Sequence, residues 1–217
     1  MSDVNYTYRR RTSETDAQVE ICWDSGPAPF TPAPELRIRT GFPFLDHMLS
    51  ALKFNARSSL EGFGIAIKGD TEVDDHHTVE DCAIALGEAL RLSLYERAAA
   101  KDFAIARYGV AFIPMDDALA RVAVDLGGRP YSDVSLGLKR EAIGGIASEN
   151  FVHFFGSLAQ SLRAAIHIDV LKGSNDHHRI EAAFKALGRA LAEAAKIETV
   201  FQGGWMPSTK GEVNYEL

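Results

Sequence analysis

The sequence predicts an α+β fold built as two pseudo-repeated halves, each a sheet packed with helices. Three observations carry this expectation. DDHHTVEDCAIALGEAL (74–90) recurs without a gap as NDHHRIEAAFKALGRAL (175–191), 101 positions later. Upstream of each copy, LDHMLSAL (45–52) has a counterpart in VHFFGSL (152–158). Both stretches run in the same order, from short helix through β segment and HHxxE to long helix. A chain that restates itself on this scale packs two copies of one supersecondary unit against each other. The repeat halves span about 17–100 and 108–197 within a single domain, 1–217.

Each element follows from local pattern. Residues 1–16 are polar and read as irregular. QVEICW (18–23) alternates apolar and polar residues, as a half-buried strand does. GPAPFTPAPEL (26–36) holds four prolines in eleven residues and reads as a loop. FPFLDHMLSALKF (42–54) has apolar residues at helical spacing. SSLEGFGIAIKGD (58–70) suggests strands broken by glycine. TVEDCAIALGEALRLSLYERAAA (78–100) carries Ala and Leu at i, i+3, i+4 and i+7, an amphipathic helix. VAFIPM (110–115) and ARVAVDL (120–126) are β-rich. ENFVHFFGSLAQSLRAA (149–165) reads as helix, AIHIDVL (165–171) as strand, and RIEAAFKALGRALAEAAK (179–196) as a second long helix. The tail WMPSTKGEV is polar.

Composition narrows the function. A net charge of −7 offers no broad basic face to phosphates, so a nucleic-acid partner is not expected. No apolar run reaches the roughly 18–20 residues a membrane span needs. Two cysteines in unlike contexts do not make a disulfide framework, and they fit a reducing compartment. The first residues lack the apolar core of a signal peptide, so a cytoplasmic location is expected.

Six of the seven histidines fall on repeat-equivalent positions. His47 pairs with His153, His76 with His177 and His77 with His178, while Glu80 pairs with Glu181. On a helix, residues three and four apart share a face and adjacent residues diverge by about 100°. Adjacent histidines therefore serve two ions more readily than one, and the glutamate can join either histidine of its pair. Six imidazoles and two carboxylates give eight ligands, four to each of two ions. An octahedral ion then keeps two positions open for substrate or water, unlike a closed structural zinc site. This donor set suits Mn, Fe, Zn, Co or Ni alike. Asp74, Asp75, Asp81 and Asp176 are candidates to orient imidazole N–H groups. His167, the unmatched histidine, lies in an apolar strand and reads as a packed core residue.

TGFPFLDHML, GDTEVDDHHTVED, RYG, IPMDDALARVAVDLGGRPY, NDHHRIEAAFKALGRAL and PSTKG, in that order, resemble the imidazoleglycerol-phosphate dehydratase family of histidine biosynthesis. The likeness runs from about Arg11 to Gly211 and is to the monofunctional form, no phosphatase-like segment being present. The resemblance implies two similar halves, each a four-stranded sheet with helices. It implies two Mn2+ per active site, a 24-subunit homo-oligomeric shell with sites between subunits, and a small phosphorylated imidazole as substrate. The implied reaction is dehydration of D-erythro-imidazole glycerol 3-phosphate to imidazole acetol phosphate. A metal-bridged ring can exist as imidazolate and expel the adjacent hydroxide, leaving a diazafulvene in which the neighbouring C–H is acidic. By resemblance Glu14 and Glu181 transfer protons, Asp116 is an acid near the site, and His77 counts as catalytic as well as ligating. Arg107, Arg129, Lys185, Ser208 and Lys210 match phosphate-binding positions. The chain departs from the family at Ala51 and Asn55, where glutamine and histidine are usual, and at Gly127, where serine is common. Apart from the resemblance, the paired ligands also suit a binuclear metallohydrolase or a non-enzymatic metal-binding shell protein.

Overall fold

The computed structural model describes residues 5–23, 36–57, 59–101 and 104–198. In chain order the elements are β1 (Asn5–Arg11), β2 (Thr15–Trp23), β3 (Ile38–Arg39), α1 (Pro43–Asn55), β4 (Leu60–Gly69), α2 (His76–Lys101), β5 (Ala104–Ile105), β6 (Tyr108–Met115), β7 (Ala118–Asp125), β8 (Tyr131–Ser135), β9 (Ala142–Ile143), β10 (Ile146–Ala147), α3 (Ser148–Leu162), β11 (Ala165–Lys172), α4 (Asp176–Ala194) and β12 (Ile197–Glu198). They form two four-stranded sheets, ordered β1-β2-β4-β3 and β6-β7-β11-β8. The sheets match strand for strand. The first two pairings of each are antiparallel, and the last, β4 with β3 and β11 with β8, is parallel. Each half is therefore a β-β-β-α-β-α unit, confirming the expected α+β class.

The helices lie between the sheets. α2 packs on β1, β2 and β4, and α4 packs on β6, β7 and β11. Between the halves the helices exchange partners: α1 lies on α4 and α2 on α3. Two glycines permit these crossings. A Cβ on Gly87 would run into Ser161 Oγ, with Leu158 O 3.0 Å away; one on Gly188 would run into the Leu52 carbonyl oxygen. The glycine that recurs in both copies is thus the point where backbones touch. Phe154, Phe155 and Phe184 fill the centre, with ring centroids 4.8–5.6 Å apart. Cys22 and Cys82 are buried free thiols.

Several sequence expectations need correction. The first residues are not all irregular: β1 is an edge strand whose half-buried Tyr6 and Tyr8 pack against the core, so the first sheet begins upstream of residue 17. Its polar pattern conceals it because only Tyr6 and Tyr8 give it an apolar side, and both stay half-buried. β4 is one continuous strand despite its glycines. Gly64 lies there because the backbone of Leu36 and Arg37 passes within 3.1–3.3 Å of where its Cβ would sit. His167 is exposed rather than core, since alternation along β11 buries Ile166, Ile168 and Val170 and turns His167 to the outer face. The proline-rich segment, apart from Leu36, and the tail lie outside the described residues.

Replacing Gly188 with alanine should force α1 and α4 apart and cost about 1–3 kcal/mol, as overpacking does. Gly156→Ala is the control, since its added Cβ meets only Ser132 Oγ, at 3.6 Å. Thermal melts should show a lower Tm for the first variant alone; equal melts would mean the crossing tolerates a methyl group.

Candidate metal centre

Helix start signals position the histidines. The Asn175 side chain accepts from the His177 backbone N–H at 2.9 Å, and Asp74, its repeat equivalent, accepts from His76 N–H at 2.8 Å. Asp46 accepts from the Thr40 backbone and hydroxyl at 2.7 and 2.6 Å, fixing the first turn of α1 beside His47. Because the helices cross between halves, His47 of α1 meets His177 and Glu181 of α4, and His153 of α3 meets His76 and Glu80 of α2.

These are two His-His-Glu trios, and in each the donor atoms lie within 4.8 Å of one another. Glu181 Oε2 is 3.2 Å from His177 Nε2 and 3.6 Å from His47 Nε2. Glu80 Oε1 is 3.0 Å from His153 Nε2, with Oε2 4.0 Å from His76 Nε2. Metal bonds of about 2.0–2.2 Å set neighbouring donors about 3–4.4 Å apart, so both trios suit a divalent cation with little adjustment. The i,i+4 geometry resolves the glutamate's choice: each joins the first histidine of its pair.

The second histidines turn away. His77 Nδ1 lies 3.0 Å from Asp70 Oδ2, and its Nε2 lies 3.8 Å from the exposed carboxylate of Glu14. His178 Nδ1 lies 2.7 Å from Asp117 Oδ1, and its Nε2 lies 3.3 Å from Asp116. Glu14 and Asp116 occupy equivalent places, the turns of the β1–β2 and β6–β7 hairpins. Asp116 is also a turn residue in fact, with φ +48°, a conformation aspartate tolerates. Ser174 and Asn175 backbone N–H groups, the His178 ring and the Ser174 hydroxyl all bond Asp117 and hold its carboxyl well below the usual range. Burial of Glu181 opposes its charge, but Lys185, His47 and His177 outweigh this, and its carboxyl also sits low.

The acids that orient imidazoles are mostly not those the sequence suggests. Asp75 acts through Asn150, whose Oδ1 is 3.1 Å from His76 Nδ1 and whose Nδ2 donates to Asp75 at 2.8 Å. Asp74 caps backbone. Asp81 is buried against Arg10, at 2.5 Å, and the Thr15 hydroxyl, and so pins the β1–β2 turn onto α2. Asp176 accepts from Lys139 and Arg140 N–H. Asp70, Asp117 and Asn150 are missed by motif reading. For two of them the available signal is an acid at a strand end facing a helix start.

The expected phosphate ligands are scattered within one chain. Lys185 Nζ is 2.8 Å from Glu181 Oε1 and so stands at a trio. Arg107 is buried in a two-point pair with Asp125, at 2.7 and 3.0 Å. It sits beside the C-terminal end of α4, bonding Ala194 O, about 20 Å along the helix from Glu181. Exposed Arg129 follows β7 near that same end. Ser208 and Lys210 lie outside the described residues. Of the departures, Ala51 and Asn55 sit on α1 where it crosses α4: Asn55 donates to Ala51 O at 2.8 Å, and a Cβ on Gly188 would lie 3.2 Å from that of Asn55.

The family model described as imidazoleglycerol-phosphate dehydratase matches residues 40–191. A protein of that name from Chlorobium luteolum is 45% identical over 205 residues, covering 94% of this chain and 93% of its own. One from Syntrophomonas wolfei is 43% identical over 197 residues, covering 91% and 92%. The chain spans only 41% of a longer relative from Phytophthora nicotianae, at 44% identity and 93% of its own length. Among solved structures, the Pyrococcus furiosus enzyme in complex with (S)-C348 superposes with TM-score 0.75 at 40% identity, covering 94% of this chain and 99% of that one.

The site geometry itself predicts a pH signature. The Asp70 hydrogen bond, against opposing desolvation and aided by the charges of Glu14, Asp70 and Asp74, raises the His77 imidazole above its ordinary value. The raised value means this pair stabilises the folded chain below the unfolded imidazole pKa of about 6.5, and the contribution is lost as pH rises through the folded value. An NMR titration of chelator-treated protein should find His77 titrating high and Asp70→Asn returning it toward about 6.5.

Proposed function

The chain belongs to the imidazoleglycerol-phosphate dehydratase family, and we propose that it removes water from D-erythro-imidazole glycerol 3-phosphate to give imidazole acetol phosphate, holding two Mn2+ per active site. The observation that carries this reading is the pair of matched His-His-Glu trios, each assembled from both halves of the chain.

His47, His177 and Glu181 would hold one cation, and His76, Glu80 and His153 the other. His77 and His178 face outward with Nδ1 engaged by a carboxylate, which leaves Nε2 as the ligating nitrogen. On this reading each offers Nε2 to a trio of a neighbouring chain, so that every cation has four protein donors and two open positions. When bound, such cations supply acidity to the ring N–H of the substrate imidazole. The chain's own residues do the rest. Glu14, exposed beside His77, is free to take the proton from the substrate carbon once hydroxide has left and the diazafulvene has formed. Asp116 is the corresponding acid beside His178. Glu181, enclosed by Lys185, His47 and His177, is better placed as a ligand than as a proton carrier. Lys185, Arg129, Arg107, Ser208 and Lys210 are the phosphate ligands of this reading. The two arginines would act at a neighbour's site, since about 20 Å of helix separates Arg107 from its own trio.

Self-association has its own support. The outer face of the first sheet is polar. That of the second carries Tyr108, Val110, Phe112 and Tyr131, each more than half exposed in the single chain. An apolar sheet face of this kind marks an interface, and it agrees with a homo-oligomer, a 24-subunit shell by resemblance. Among the described residues no helix is long and apolar enough to cross a membrane. Two buried free thiols agree with a cytoplasmic location.

Chelation should abolish formation of the enolisable ketone, and Mn2+ should restore it. His77→Ala and His178→Ala should each reduce turnover to background. Activity indifferent to complete metal removal, or near-native rates in either variant, would overturn the reading. Release of inorganic phosphate in place of ketone would assign a hydrolase instead.

A further inference from the structure

The two trios share a donor set but not their surroundings, and we propose that they bind divalent cations with unequal affinity, His76–Glu80–His153 filling before His47–His177–Glu181. This deepens, and rests on, the two-cation reading above. The first difference is charge. Lys185 Nζ holds Glu181 Oε1 at 2.8 Å, leaving Oε2 to face His47 and His177. In the ungapped repeat, position 185 corresponds to 185 − 101 = 84, which is Ile84. Among the described residues no ammonium is paired with Glu80, whose two oxygens face one imidazole each. A lysine at that distance competes for the carboxylate and repels an incoming cation. Glu181 is also the more buried of the two glutamates, its side chain 8% exposed against 33%. Burial strengthens the carboxylate's attraction and the lysine's repulsion alike, so it does not restore the balance.

The second difference is how the first histidine of each pair is held. Asn150, 5% exposed, has its amide fixed by donation to Asp75, so its Oδ1 accepts from His76 Nδ1 and the ring presents Nε2 as a lone pair. With His47 matched to His153, the residue equivalent to Asn150 is 150 − 106 = 44, Phe44. Its ring meets His177 edge-on, with centroids 5.1 Å apart, and accepts no proton. Among the described residues no side chain bonds His177 Nδ1. Contacts of this kind change metal affinity on the order of 10–100-fold, and both differences favour the same trio.

The test is titration of chelator-stripped protein with Mn2+ alone, no substrate present, followed by calorimetry and by the electron paramagnetic resonance of free Mn2+. The expected isotherm has two steps of one ion per chain, with Kd values at least about tenfold apart. Glu80→Gln should remove the tight step and Glu181→Gln the weak one. Lys185→Met should tighten the weak step toward the first. Lys185→Gln, which keeps a polar side chain in place, should do so as well. Two equal ions per chain would overturn the inequality while leaving the two-cation reading intact, as would loss of the tight step in Glu181→Gln or an unchanged weak step in both lysine variants. Fewer than two ions per chain would overturn that reading and the inequality with it.

Discussion

Everything at the site depends on one packing constraint: the long helix of each half crosses the short helix of the other at backbone contact. Gly188 permits this for α4 over α1 and Gly87 for α2 over α3. If each half instead packed its own two helices together, His47 would approach His76 and Glu80, and neither observed trio would form. As folded, no half contains a complete trio. The geometry of the two trios is thus a property of the interface between halves, supported by the Phe154, Phe155 and Phe184 cluster rather than by loops. Donors projected from helices locked in a close-packed interior keep their relative positions better than donors on turns.

Much of this was legible in the sequence because its signal is periodic. The HHxxE spacing placed a histidine and a glutamate on one helix face, and the ungapped repeat paired the histidines and glutamates that the two trios bring together. What stayed hidden depends on tertiary contact. β3 spans only two residues, and β8 lies between turn residues without a long apolar run, so neither stands out by pattern. Asp70 and Asp117 sit at strand ends whose distance from the histidines is set by how sheet and helix dock. Arg107 matches a phosphate-binding position, and its two-point pair with Asp125 on the neighbouring strand is a contact that no motif announces. His167 was read from its apolar neighbours, although the pleat alternates burial residue by residue. Ala51 and Asn55, where the chain departs from the family, lie along the helix crossing, a placement that only the packing of α1 on α4 reveals.

The two halves also show which features such a site demands twice. Strand order, parallel and antiparallel pairings, cap positions, glycine crossings and the four donors all recur. Contacts one step further out do not. The β1–β2 turn bearing Glu14 is pinned to α2 by Arg10, Thr15 and Asp81, while the β6–β7 turn bearing Asp116 is tied to α4 by Asp117 reaching Ser174, Asn175 and His178. Each arrangement delivers an acid to the Nε2 of an outward histidine, by different bonds. A donor's position is dictated by bond lengths of about 2 Å and tolerates little drift, whereas a support need only hold its donor still. Duplicated supports were therefore free to diverge in charge and polarity, as Lys185 did from Ile84 and Asn150 from Phe44.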